Sequence, residues 1–171
     1  MDSTTLYDDD ILAWSEQQAA ALRRLASRGD LPNDLDLEHI VEEIEDVGQG
    51  ELREVRVLLG RALAQLVLSW AAPDAEPDWQ WTGKVIGWLG EAELRFAPSM
   101  AGHIGLDDLW SGAVRQAIHR LEIVENGPAA VRARMCAGTP CPFSVGTMLG
   151  EDFRIKDALE LLEMVSTSTS P

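Results

Sequence analysis

Residues 51–71 read ELREVRVLLGRALAQLVLSWA. Leu52, Val55, Leu59, Ala62, Leu63, Leu66, Val67 and Trp70 recur at steps of three and four. That spacing places them on one stripe of an α-helix. Arg61 and Gln65 interrupt the run, and it is too short to span a bilayer. It is therefore read as a core helix.

The same period extends in both directions. Upstream, Leu37, Ile40, Val41, Ile44 and Val47 form a second stripe, with Asp36 as its cap and Gly48 and Gly50 as its end or kink. Before it, Asp8, Asp9 and Asp10 precede Ile11, Leu12, Trp14, Gln18, Ala19, Leu22 and Leu25. Acids at the start and Arg23, Arg24 and Arg28 near the end suit the helix dipole, so a helix is expected from about residue 8 to 28. Gly29 is its stop, and residues 31–34 form a turn.

Downstream, helices are expected from about Trp79 to Arg95, from Asp107 or Asp108 as cap to Val124, from Pro128 to Arg134, and from Phe153 to Val165. A short turn capped by Ser144 precedes the last of these. No alternating strand pattern and no repeat is present. The expected fold is an all-α, single-domain helical bundle of about five to seven helices over residues 1–165, followed by a disordered polar tail at 166–171.

Three blocks carry a family resemblance. One runs from Leu6-Tyr7-Asp8-Asp9-Asp10-Ile11-Leu12-Ala13-Trp14 through Gln17-Gln18-Ala19 to Leu22-Arg23. Another is Leu35-Asp36-Leu37-Glu38-His39-Ile40-Val41-Glu42-Glu43-Ile44-Glu45-Asp46-Val47-Gly48 with Glu51 and Arg53. The third is Cys141-Pro142-Phe143-Ser144 with Leu149 and Phe153. In order and spacing they resemble the bacterial domain of unknown function 29 family, over roughly residues 6–154. The resemblance implies a small helical protein and supplies no catalytic residue. The chain departs from it at His39, where Asn is frequent. It also departs at Gln65 and Ser69, which replace a frequent His and Lys.

Charge narrows the function. Of 171 residues, 14 are Lys or Arg and 29 are Asp or Glu, a net of −15. Residues 1–54 hold 15 acids and 4 bases, net −11, so most of the field arises there. Such a surface repels phosphate, which argues against direct nucleic-acid binding and against an anionic membrane. It permits a basic partner, cations or plain solubility, and the partners expected here are a basic protein or a second copy of the chain. The first ten residues lack a basic start and an apolar run, and two cysteines make no disulfide framework, so a cytoplasmic setting is expected.

The acidic helix is the strongest candidate site. Glu38, Glu42 and Glu45 share one face, and His39, Glu43 and Asp46 the next. Arg53, Arg56 and Arg61 stand near in sequence as pairing cations. The leading reading is a protein–protein interaction or self-associating module. Its surface candidates are Glu42, Glu43, Glu45, Asp46, Trp79 and Trp81. The alternative is a metal-binding protein or metal-dependent enzyme whose ligands would come from Glu38, His39, Glu42 and Glu45. No cofactor is expected. Phosphate-loop, dinucleotide and nucleophile-elbow patterns are absent, so the balance leans away from an enzyme and no catalytic residue is assigned. Cys136 and Cys141 are read as free or buried thiols, with a redox pair and a zinc site as the other readings.

Overall fold

The structure, a computed structural model, describes residues 3–28, 32 and 34–168. The expected stop at Gly29 and most of the turn at 31–34 lie outside those residues, as do residues 169–171. The described residues form eight α-helices and one 3-10 helix. They are α1 (Ser3–Asp9), α2 (Ile11–Ala26), α3 (Leu37–Ala71), α4 (Asp78–Arg95), the 3-10 helix (Pro98–Gly102), α5 (Leu106–Ile123), α6 (Gly127–Arg134), α7 (Val145–Met148) and α8 (Ile155–Ser168). The chain is all-α.

Four expectations change. The helix expected over 8–28 is two helices, because Asp10 leaves helical geometry at φ −151° and caps α2, accepting the Ala13 N–H at 3.0 Å. The helices expected on either side of Gly48 and Gly50 are one 35-residue helix, α3. A glycine inside a helix costs about 1 kcal/mol, which the packing of both flanking stripes outweighs. The N-cap of α5 is Gly105, at φ +62°, and neither Asp107 nor Asp108. Asp107 instead accepts the backbone N–H of Cys141 at 2.8 Å. The polar tail expected from residue 166 is helical through Ser168, and Ser166 is buried with its hydroxyl donating to the Glu163 carbonyl.

Backbone packing groups the chain into two compact units. Met1–Val55 with Arg95–Ile104 forms one, and Arg56–Leu94 with Gly105–Pro171 forms the other. Each half of the long α3 gathers its own helices.

In the first unit, α2 lies close against α3 at Gly48. A Cβ there would meet the Ser15 hydroxyl at 2.2 Å, the Leu12 Cα at 2.9 Å and the Ile11 carbonyl at 3.2 Å. The glycine thus serves helix–helix approach. Asp10 also accepts the Ser99 hydroxyl at 2.6 Å and the Ser99 N–H at 3.1 Å, tying the 3-10 helix to the start of α2. Burial disfavours the Asp10 anion, but the bonds from Ser99 and Ala13 outweigh it and hold the carboxyl below its usual range.

In the second unit the core is apolar and continuous in type. Leu59, Leu63, Leu66 and Val67 of α3, Val85 of α4, Trp110 and Ala117 of α5, Met148 of α7 and Leu162 of α8 are almost wholly buried. Each large aliphatic among them contributes about 1.5–3 kcal/mol by leaving water. Phe143, in the loop before α7, meets Trp110 edge to face at 6.3 Å.

Candidate functional site

The first half of α3 carries the acidic residues. Asp36 caps it, accepting the His39 N–H at 3.3 Å while its other oxygen lies 2.6 Å from His39 Nδ1. The Asp36 hydrogen bond and charge, with Glu42 and Glu38 nearby, push the His39 pKa up and favour imidazolium. His39 is therefore engaged by its own helix cap.

Glu45 faces α2. Its two carboxylate oxygens take a fork of bonds from Arg23, Nη1 at 2.6 Å and Nη2 at 2.5 Å. That hydrogen-bonded pair lowers the Glu45 pKa. The cation comes from a neighbouring helix, whereas Arg53, Arg56 and Arg61 continue along α3 itself. Arg53 stands roughly 12 Å further along the axis from Glu45, at about 1.5 Å per residue. Glu38 and Glu42 border an open cavity of 340 Å³ that Arg23, Ala26, Leu37 and Val41 complete.

The other face of this half-helix is different. Glu43, Asp46 and Glu54 are exposed, and so are Ile40 and Val47 beside them. Their spacing puts all five within one stripe of α3. Neither Glu43 nor Asp46 forms an ion pair among the described residues.

Glu38, His39, Glu42 and Glu45 do not converge as ligands. Glu45 is occupied by a guanidinium and His39 by Asp36. Among the described residues no group of three or more His, Cys, Asp or Glu is placed to hold a metal ion. The tryptophan candidates also separate. Trp79 is 78% exposed, whereas Trp81 is 4% exposed with its indole N–H donating to Asp78 at 3.2 Å. Trp81 shares the inward stripe of Val85, Leu89 and Ala92, so it belongs to the core and not to a surface.

Both cysteines are free. Burial raises each thiol to about 11, so both stay protonated near neutral pH, the opposite of a reactive redox pair. One cluster escaped the sequence reading. Arg132 lies 4.6 Å over the Trp70 ring and bonds Glu163 at 2.6 Å, and Trp70 Nε1 donates to the same Glu163 oxygen at 2.8 Å. Its members lie as much as 93 residues apart, and no local pattern marks them. Among the described residues no helix is long and apolar enough to cross a membrane.

The fold and this surface define an all-α protein with an acidic helix face. The chain belongs to the family described as domain of unknown function DUF29, whose model matches residues 6–154. It is also similar to an alpha-helical protein of unknown function from Rhodospirillum rubrum, known from a crystal structure. The two are 34% identical, the match covers 90% of this chain and 95% of that one, and the TM-score is 0.76. None of the curated proteins matches.

Proposed function

We propose that this protein is a cytoplasmic protein–protein interaction module whose exposed α3 face takes a basic, amphipathic segment of another protein. One observation carries the reading. Exposed Glu43, Asp46 and Glu54 share a single helix stripe with exposed Ile40 and Val47. Like charges so spaced repel by a few tenths of a kcal/mol per pair, a cost that a cationic partner removes. The two aliphatic side chains supply the apolar contact that charge alone lacks. The excess of −11 over residues 1–54 would speed encounter with such a partner. Two free thiols fit a reducing compartment.

The double variant Glu43→Lys/Asp46→Lys tests this. Both positions are exposed, so the variant should fold, with its helical circular dichroism unchanged. Immobilised wild-type protein should retain basic proteins from its native host at low salt and release them near about 0.5 M salt, where charges are screened. The variant should retain them at least ~10-fold less. Equal retention by the two proteins would overturn the assignment of this face.

A further inference from the structure

We infer that α4 is the seat of a second interface, at which two copies of this chain pair antiparallel about a two-fold axis. The outward face of α4 carries Trp79, Gly83, Ile86, Gly87, Gly90 and Leu94. Trp79 is 78% exposed, Ile86 62% and Leu94 89%. At Gly83, Gly87 and Gly90 an added Cβ would meet nothing within 4 Å, so the backbone itself is open to approach.

The order of these residues is self-complementary. With the axis between Ile86 and Gly87, an antiparallel copy sets Trp79 against the partner's Leu94. Gly83 then faces the partner's Gly90, and Ile86 faces the partner's Gly87. Each bulky aliphatic at the centre meets a glycine, and the bulky ends close on each other. Glycine against glycine lets two helix backbones come near enough for close van der Waals contact. A parallel arrangement would instead set Trp79 on Trp79 and Ile86 on Ile86, leaving the glycines facing a gap. Beside the face, Ile86, Gly90, Met148 and Phe153 border a recess of 170 Å³ into which a partner side chain can lean.

Charge restricts where a second copy can dock. Two chains of net −15 repel, so they can associate only through a surface that is itself nearly uncharged. This stripe is such a surface. Its one charged member is Glu93, at the margin, and the antiparallel register sets it opposite the partner's Gln80, a neutral donor. The three large side chains supply roughly half of the ~800 Å² per partner that a standard interface buries. The flanking turns of α4 supply more, and a weak dimer of micromolar order is expected.

Sedimentation equilibrium across a concentration series tests the interface, and cysteine trapping tests the register. The wild type should rise from 18.8 kDa toward twice that mass. Ile86→Lys places two cations across the axis at an exposed site, and should weaken dimerisation at least ~10-fold with helicity unchanged. Gly83→Cys and Gly90→Cys proteins mixed together should form an intermolecular disulfide. Each alone should not, since like positions sit roughly 10 Å apart along the axis and a disulfide needs Cα atoms within about 7 Å. A strict monomer, a dimer indifferent to Ile86→Lys, or crosslinking of each single variant with itself would overturn the proposal.

Discussion

Trp110→Ala should destabilise the protein by about 3–5 kcal/mol, the loss expected when a fully buried indole is truncated. Trp110 is 1% exposed. Its ring receives Phe143 edge to face, and its Nε1 donates to Thr139 Oγ1 at 3.3 Å. Thr139 in turn bonds the Cys136 carbonyl at 2.8 Å. The side chain therefore joins α5 to the loop that follows α6, and its removal leaves a cavity and one fewer tie to that loop. For a chain of this length about 1 kcal/mol moves Tm by roughly 2–4 °C, so a fall on the order of 10 °C is expected. Trp110→Phe should lose less, because most of the volume stays and Thr139 keeps its own acceptor. Urea unfolding reads both, and a Trp110→Ala loss under about 1 kcal/mol would contradict the packing described.

Gly48→Ala and Gly50→Ala should move stability in opposite directions, although they stand two residues apart in one helix. In an open helix, alanine gains up to about 1 kcal/mol over glycine. Gly50 is open, with nothing within 4 Å of its added Cβ, so that gain should appear. At Gly48 the new methyl would strike the Ser15 hydroxyl at 2.2 Å and the Leu12 Cα at 2.9 Å. The hydroxyl can turn, but it is buried and bonded to the Leu12 carbonyl at 2.9 Å, and the Leu12 backbone cannot yield without moving α2. Overpacking of this kind costs about 1–3 kcal/mol, which exceeds the propensity gain. The two denaturation midpoints should therefore fall on opposite sides of the wild type. A shift of the same sign would contradict the close approach of α2 to α3.

These two glycines also show where the sequence could be read and where it could not. The stripes on both sides of Gly48 were plain from the spacing of Leu37, Val41 and Val55 through Trp70. Whether the glycine between them broke a helix or admitted a neighbour depends on Ser15 and Leu12, more than thirty residues away. Asp10 is similar. Three successive aspartates are equal candidates for a cap, and Ser99, 89 residues distant, selects the third. Arg23 likewise reaches Glu45 from α2, 22 residues away, whereas the arginines nearest in sequence are Arg53, Arg56 and Arg61. The tryptophans differ in kind. Trp81 falls on the stripe of Val85, Leu89 and Ala92, and Trp79 falls off it, so their separation into core and surface was present in the spacing.

The central claim is that the outward stripe of α3 receives a basic protein. Photo-crosslinking in cells of the native host tests it most directly, with Val47 replaced by a photoreactive amino acid. Val47 is 46% exposed and sits between Glu43 and Glu54 on that stripe. The account predicts a covalent adduct to a second, basic protein that disappears when Glu43→Lys/Asp46→Lys is added. Irradiation that yields no adduct, or one only with further copies of this acidic chain, would contradict it.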